Sequence, residues 1–522
     1  MRRMPIGIQT FEDIITGGFA YVDKTAWIYE LANEGKYFFL GRPRRFGKSL
    51  LVSTLRAYFE GKKELFEGLA IEKSEKEWEP YPVLHIDLNV EAYANVDDLE
   101  SGLNTNLEQY EQIWDLDDKI TDKTPTARFH KLIRTAYEKS GQKVVVLIDE
   151  YDRPLTQTME QNKTNDEIRE ALKGFYGVLK GADRWLRFVL LTGVTKFSKI
   201  NVFSDLNMLR DISMEAAYND ICGISAKELE DNFKPELEAL AERNSMTYDE
   251  VVAEMKKRYD GYHFCEDSEG VFNPFSVLNT LTKRKFFYYW FETGTPTFLI
   301  EQLKQGNFDP LRFADDITIS TRSINDYRAG GDNPVPLLYQ SGYLTIAGYD
   351  KELDEYILAF PNEEVRYGFL NELLPAYTYT PPGGAFSVNE FIKDVRVGNA
   401  DGFLTRMRSL FATIPYELND QTERHYQLVF YLVFTLLGQF TRAEVHGAIG
   451  RADAIVETKD AVYVFEFKLN GTAEEALKQI DEKDYALPYE AGGRKIVKIG
   501  AEFDKDTRNI SRWLTEPKQD YR

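Results

Sequence analysis

Cysteine is almost absent from this chain. Cys222 and Cys265 are the only two in 522 residues, which excludes a disulfide scaffold and a cysteine-rich zinc site. Two reduced, partly buried thiols in a cytoplasmic protein are the expectation. Histidine is nearly as scarce, and His85, His130, His263, His425 and His446 show no metal-ligand spacing. No Gly-x-Ser-x-Gly elbow occurs, so a hydrolase of that layout is excluded. No apolar run reaches the length of a membrane span; the longest, residues 428–437, is too short. The opening Met1-Arg2-Arg3-Met4-Pro5-Ile6-Gly7 lacks the apolar core of a secretory signal. No membrane partner is expected.

Positive charge is also short. The net charge of −21 argues against a general nucleic-acid coat. The acid is unevenly spread, however. Residues 401–522 hold 17 Lys/Arg against 20 Asp/Glu, a net of −3, so the preceding 400 residues carry −18 of the −21. A near-neutral C-terminal segment can still present a local basic surface. At 43% hydrophobic and 29% charged, the composition is that of a globular protein, and the length suits two to four domains.

What is present begins with Arg42-Pro43-Arg44-Arg45-Phe46-Gly47-Lys48-Ser49. An apolar run precedes it and a helix-like run follows. Strand, tight loop with Gly-Lys-Ser, then helix is the layout of a phosphate-binding P-loop. Backbone amides at a helix N-terminus hold an anion, the lysine reaches the outer phosphates and the serine hydroxyl ligates Mg²⁺. The spacing departs from G-x-x-x-x-G-K-[ST], because arginine stands at 42 and glycine at 41. An ordinary strand-to-helix turn would share these residues.

About a hundred residues later, Val144-Val145-Val146-Leu147-Ile148-Asp149-Glu150 is a β-forming run that ends in two carboxylates. In a P-loop enzyme the first acid, Asp149, helps hold Mg²⁺ and the second, Glu150, orients and deprotonates the attacking water. A third run, 188–195, ends in Thr192 and Thr195, either of which can position that water or merely finish a strand. Arg153 and Arg210 are candidates for a charge-stabilising arginine or for ordinary salt bridges.

Strands are predicted at 37–40, 83–87, 144–149 and 188–193, alternating with amphipathic helices, as βαβ units over a parallel sheet require. Residues 226–258 read as a charged helical connector. The span 260–400 is rich in aromatics and turns and reads as mostly helical with small β elements. Pro381-Pro382-Gly383-Gly384 punctuates the chain before a strand-rich C-terminal unit.

In that unit, residues 450–456 and 461–468 read as a hairpin turning near Asp460. Glu466 and Lys468 share one face of the second strand, Phe465 and Phe467 the other, and Asp453 can pair across to the acidic face. Two carboxylates and a lysine are what Mg²⁺-dependent phosphodiester hydrolysis uses. An edge strand with a solvated Glu/Lys pair would have the same residues. A helical Glu423 before the hairpin and a helical Gln479 after it, with Tyr485, would complete an α-β-β-α nuclease core.

Several stretches together resemble the AAA-ATPase-like proteins, a bacterial family of Bacteroidetes type in which such an ATPase is joined to a C-terminal PD-(D/E)xK nuclease domain. They are residues 5–11, 21–25 and 42–49, then Asp149-Glu150-Tyr151-Asp152, residues 191–198, Tyr259-Asp260-Gly261-Tyr262, residues 273–276, residues 289–294 and Glu466-Phe467-Lys468. Arginine at 42 is typical of that family. The resemblance implies an α/β fold: an N-terminal P-loop domain with a parallel sheet (1–220), a mostly helical middle or lid region (221–385), and a C-terminal restriction-endonuclease-like domain (386–522). It implies ATP and Mg²⁺ as cofactors and maps Lys48, Ser49, Asp149 and Glu150 to the nucleotide site. Arg45, Phe46, Gly47 and Thr192 are expected to bind the nucleotide beside them. The resemblance maps Asp453, Glu466 and Lys468 to the nuclease triad, with Glu423 and Gln479 in support. Nucleic acid is the implied partner of the C-terminal domain. The alternative is a nucleotide-dependent switch whose nuclease-like fold binds or assembles without cutting. DNA against RNA, and a homo-oligomer against a monomer, stay open.

Overall fold

The four predicted apolar runs form strands: three are short β-branched or aromatic stretches buried almost throughout, and Val83–Asp87 alternates, burying only Leu84 and Ile86. In the computed structural model they are β1 (Tyr37–Gly41), β2 (Val83–Asp87), β3 (Val144–Asp149) and β4 (Leu186–Gly193). Residues described are 2–89, 91–116, 123–196, 207–291, 297–305, 308, 310–313, 317–325, 333–378, 388–413, 423–438, 442–445, 453–469, 471–504 and 506–516. Of residues 297–298, 305, 325, 423–427 and 442–445 the backbone alone is described.

The strands pair in parallel in the order β2-β3-β4-β1-β5, where β5 is the two-residue Arg210–Asp211. The loop-bearing strand and the acid-bearing strand are therefore not neighbours. β4 lies between them, with Leu40 beside Thr192 and Ile148 beside Leu191. All three strands end at the same carboxyl edge, where parallel α/β sheets place ligands. Every residue of β3 is buried.

Two compact units divide the chain. The first comprises residues 1–294, 305–307 and 317–364; the second comprises 295–304, 308–316 and 365–522. Beyond its main sheet, the first unit holds the small pair β6 (Ile224–Ser225) and β7 (Val271–Phe272). It also holds a three-stranded antiparallel sheet of β8 (Ile317–Ser320), β9 (Thr345–Asp350) and β10 (Glu355–Ala359). The stretch read as a connector is a packed layer instead. Helices Ala226–Asn244 and Tyr248–Tyr259 bury Leu229, Phe233, Leu237, Leu240, Val251 and Met255 in one cluster. Their charged residues are exposed or half-buried, except Glu236, which is buried.

The second unit carries a mixed sheet in the order β11 (Arg442–Val445), β12 (Ala454–Glu457), β13 (Ala461–Lys468), β14 (Lys495–Asp504), β15 (Asn509–Glu516). β12 and β13 are antiparallel, as the predicted hairpin requires, while β13 and β14 run parallel. A parallel neighbour needs a crossover, and helix Ala473–Glu482 supplies it. This helix covers one face, with Leu477 and Ile480 against Val462 and Val464. On the other face Phe465 packs on Phe403 and Phe434, and Phe467 on Phe430. Among the described residues no helix is long and apolar enough to cross a membrane.

Candidate functional site

The first constellation forms where β1 gives way to helix Lys48–Phe59. Gly47 has φ +95°, and a side chain there would strain the backbone. Arg45 also has a positive φ, and its guanidinium lies 5.0 Å from the Phe275 ring centre. Phe46 turns its ring into the core, edge-on to Tyr262 at 4.7 Å and Phe264 at 5.7 Å. Only its backbone can therefore face a ligand, which narrows the role expected for it.

Lys48 is buried, and its ammonium donates to the carbonyls of Arg42 (3.1 Å) and Pro43 (3.2 Å). Its Nζ lies 3.8 Å from Glu150 Oε1. Ser49 follows it in the first turn of the helix.

Asp149 is 3% exposed, and its Oδ1 accepts from the Thr192 hydroxyl and from the Glu150 amide at 3.0 Å. Thr192 thus orients Asp149. Glu150 has φ +54°, an unusual backbone for a non-glycine residue. Asp87, on the neighbouring β2 in register with Asp149, has its carboxyl pushed up by burial, opposed by the Asn89 amide and helped by the charges of Asp149 and Glu150.

Two arginines resolve differently from a phosphate-sensing role. Arg42 is 1% exposed and donates to Ser213 O (2.6 Å), Tyr218 O (2.8 Å), Gly41 O (3.0 Å) and Asn219 O (3.3 Å). It also sits over the Phe264 ring at 3.8 Å. Arg210 pairs with Glu34 and Glu215, the ordinary salt bridge of its two alternatives.

The loop is buttressed by residues distant in sequence. Trp290 Nε1 donates to Arg44 O at 3.3 Å, and a Cβ on Gly342 would lie 2.7 Å from Pro43 Cβ. An apolar cavity of about 100 Å³ opens beside Gly47, with Val22, Leu50, Leu51, Pro274 and Leu278 in its wall.

The second constellation lies at the end of β13. Asp453 precedes β12 by one residue rather than lying in it, and its Oδ2 accepts from the Phe467 amide at 2.7 Å. Glu466 is 3% exposed. Lys468 Nζ donates to Glu466 Oε1 at 2.9 Å and to Gln479 Oε1. Gln479 Nε2 in turn donates to the Tyr485 hydroxyl at 3.4 Å, from a helix that ends at Glu482.

Glu466 Oε2 is buried and accepts nothing among the described residues. A buried carboxylate oxygen without a donor is costly unless a cation completes it. This donor set fits Mg²⁺, and Asp453 and Glu466 are the residues that could hold it. No group of three or more His, Cys, Asp and Glu converges at metal-holding distance among the described residues. Glu423 begins helix Glu423–Gly438, but its side chain is outside the described residues.

The structure thus brings together Lys48, Asp149, Glu150 and Thr192 in one place, and Asp453, Glu466, Lys468 and Gln479 in another. Sequence reasoning quoted Asp152 and Lys196 within their motifs but gave them no role. Asp152 stands three residues after Asp149 and is buried, while Lys196 forms a partly buried ion pair with Asp211. The signal for Asp152 was present: a third acid just after a catalytic-type acid pair.

A P-loop strand and an acid-bearing strand flanking a threonine-tipped strand define an α/β protein of P-loop type, here with a five-stranded mixed sheet in the same chain. Two family models match in that order: "Predicted AAA-ATPase" over residues 5–203 and "PD-(D/E)XK nuclease superfamily" over residues 421–513. An Azotobacter chroococcum mcd 1 protein described as "Uncharacterized protein in vnfD 5'region" is 35% identical over 526 residues, covering 99% of each chain. The chain belongs to the family of AAA-ATPase-like proteins with a C-terminal PD-(D/E)XK nuclease superfamily domain.

Proposed function

We propose that the chain is an ATP-hydrolysing protein that controls a Mg²⁺-dependent nuclease acting on DNA or RNA phosphodiesters in the cytoplasm. The observation that carries the cleavage reading is the Glu466 carboxylate. One oxygen is tied to Lys468, and the other is a buried acceptor without a donor among the described residues.

At the nucleotide site, Lys48 exchanges its loop carbonyls for the outer phosphates, and Ser49 and Asp149 hold Mg²⁺. Glu150 orients the attacking water and takes its proton. The apolar cavity beside Gly47 offers a wall for the purine ring. At the second site, Asp453 and Glu466 hold the metal, which when bound polarises the phosphate and acidifies its water. Lys468, fixed by Glu466 and Gln479, places positive charge where the scissile phosphate gains negative charge. We assign residues 1–220, 221–385 and 386–522 to the ATPase, a regulatory middle region and the nuclease.

The buttresses from Trp290 and Gly342 onto the P-loop also favour a second reading, a nucleotide switch without cleavage. The test is ATP turnover and nucleic-acid cleavage by purified full-length protein with Mg²⁺. Lys48→Ala is expected to lose ATP turnover by about 10²-fold or more. Asp453→Ala is expected to lose cleavage while ATP turnover persists. If wild type cuts no DNA or RNA while ATP changes its size in solution, and Lys468→Ala has no effect, the switch reading replaces the nuclease.

A further inference from the structure

Asp152 is 1% exposed, yet among the described residues it has no ion pair. Its carboxylate instead accepts two backbone amides from the end of β4: Val194 N at 3.2 Å and Thr195 N at 2.6 Å. Tyr151 adds three contacts to the same junction. Its amide donates to Thr192 O (3.0 Å), its hydroxyl donates to Thr195 O (2.6 Å), and its carbonyl accepts from Tyr176 (3.1 Å). The fit leaves no room at Gly193, where a Cβ would lie 2.5 Å from Asp152 Oδ1 and 2.6 Å from Tyr151 Cδ1.

Burying a carboxylate close to Glu150 is unfavourable; burial and the Glu150 charge push the Asp152 carboxyl up to about 6. Two charge-assisted hydrogen bonds to amides offset that cost, and without them both amides would be buried and unmet. The bonds join the end of β4, which carries Thr192, to the turn after β3, which carries Asp149 and Glu150.

We propose that Asp152 is a positioning residue for nucleotide turnover: it staples the end of β4 to the turn after β3. The staple keeps Glu150 in its left-handed backbone conformation facing Lys48, and keeps the Thr192 hydroxyl on Asp149. The inference rests on the ATPase reading above.

Full-length Asp152→Asn, Asp152→Ala and Glu150→Gln are compared with wild type for ATP turnover and, separately, for equilibrium ATP binding. A misplacement on the order of 1 Å costs about 10²-fold in rate, so Asp152→Ala is expected to lose kcat by about that factor. Its Kd for ATP stays within about threefold, because phosphate-holding groups are untouched. Asp152→Asn keeps one acceptor oxygen and recovers part of the lost kcat. A purely packing role would instead lower the folded fraction and leave kcat per folded molecule unchanged. Wild-type kcat in both Asp152 variants, a rise in Kd matching the loss of activity, or failure of both variants to fold overturns the inference. If wild type turns over no ATP, or Glu150→Gln is as active as wild type, the ATPase reading fails instead.

Discussion

Arg42 shows how one residue changes meaning between sequence and structure. It occupies the position where the usual P-loop spacing has glycine, yet its guanidinium points into the core and meets four carbonyls and the Phe264 ring. Burial depresses its pKa, with Cys222 and Tyr339 among the opposing influences. A lysine has a single ammonium and cannot serve that fan of acceptors. Arg42→Lys is therefore expected to destabilise the protein by about 2 kcal/mol, read from the urea midpoint. Arg44 and Arg45 are exposed and stay available to phosphate.

Glu364 offers a pH test at the same scale. It is fully buried, accepts from Ser276 Oγ (2.7 Å) and the Trp290 amide (2.9 Å), and burial pushes its carboxyl up to about 7. The folded state holds the proton more tightly than the unfolded state. Its stabilising contribution is therefore complete below the ordinary carboxyl pKa of 4.5 and is lost as pH rises through 7. The loss is about 3 kcal/mol by linkage. Glu364→Gln should flatten the fall in thermal midpoint between pH 5 and 8; an unchanged slope would contradict the assignment.

At the scale of elements, what the sequence made legible follows from pattern strength. Three of the four long strands were legible as nearly unbroken apolar runs, and β2 as an alternation that buries only Leu84 and Ile86. The two-residue β5 was not, because Arg210 and Asp211 are polar and gain their place only by pairing with Phe38 and Phe39. Helices 226–244 and 248–259 were read as a connector because abundant charge masked an apolar stripe at helical spacing. In the nuclease-type sheet, alternation separated Glu466 and Lys468 from Phe465 and Phe467, and the register does the same. Gln479 was legible from its helix. Its hydrogen bond to Lys468 depends on the crossover that sets this helix on β13 and β14, which local sequence does not encode.

That crossover has a tight point. A Cβ on Gly500 would lie 2.3 Å from Ala473 O and 2.9 Å from Leu477 N, both backbone atoms. Gly500→Ala must therefore push away the helix that carries Gln479. The expected cost is about 1–3 kcal/mol in stability. Cleavage falls about tenfold or more as Lys468 loses its brace, with ATP turnover unchanged. Thermal melts beside the two assays check this, and unchanged cleavage would show that Gln479 does not position Lys468.

For the whole molecule, charge is divided as the proposed nuclease activity would require. The first 400 residues carry −18, while the last 122 carry −3. Nucleic acid approaching the C-terminal unit meets much weaker repulsion than it would elsewhere. Cleavage should accordingly weaken steeply with salt through rising KM, more steeply than ATP turnover does.

On the proposed reading the chain carries two chemistries, the first controlling the second. The most direct measurement is cleavage of mixed DNA and RNA substrates with and without ATP and Mg²⁺, by wild type, Lys48→Ala and Asp453→Ala. Wild type is expected to cut only with Mg²⁺ and at an ATP-dependent rate. Lys48→Ala should lose that ATP dependence, and Asp453→Ala should not cut at all. Cleavage that survives Asp453→Ala, or no cleavage by wild type under any of these conditions, would contradict that reading.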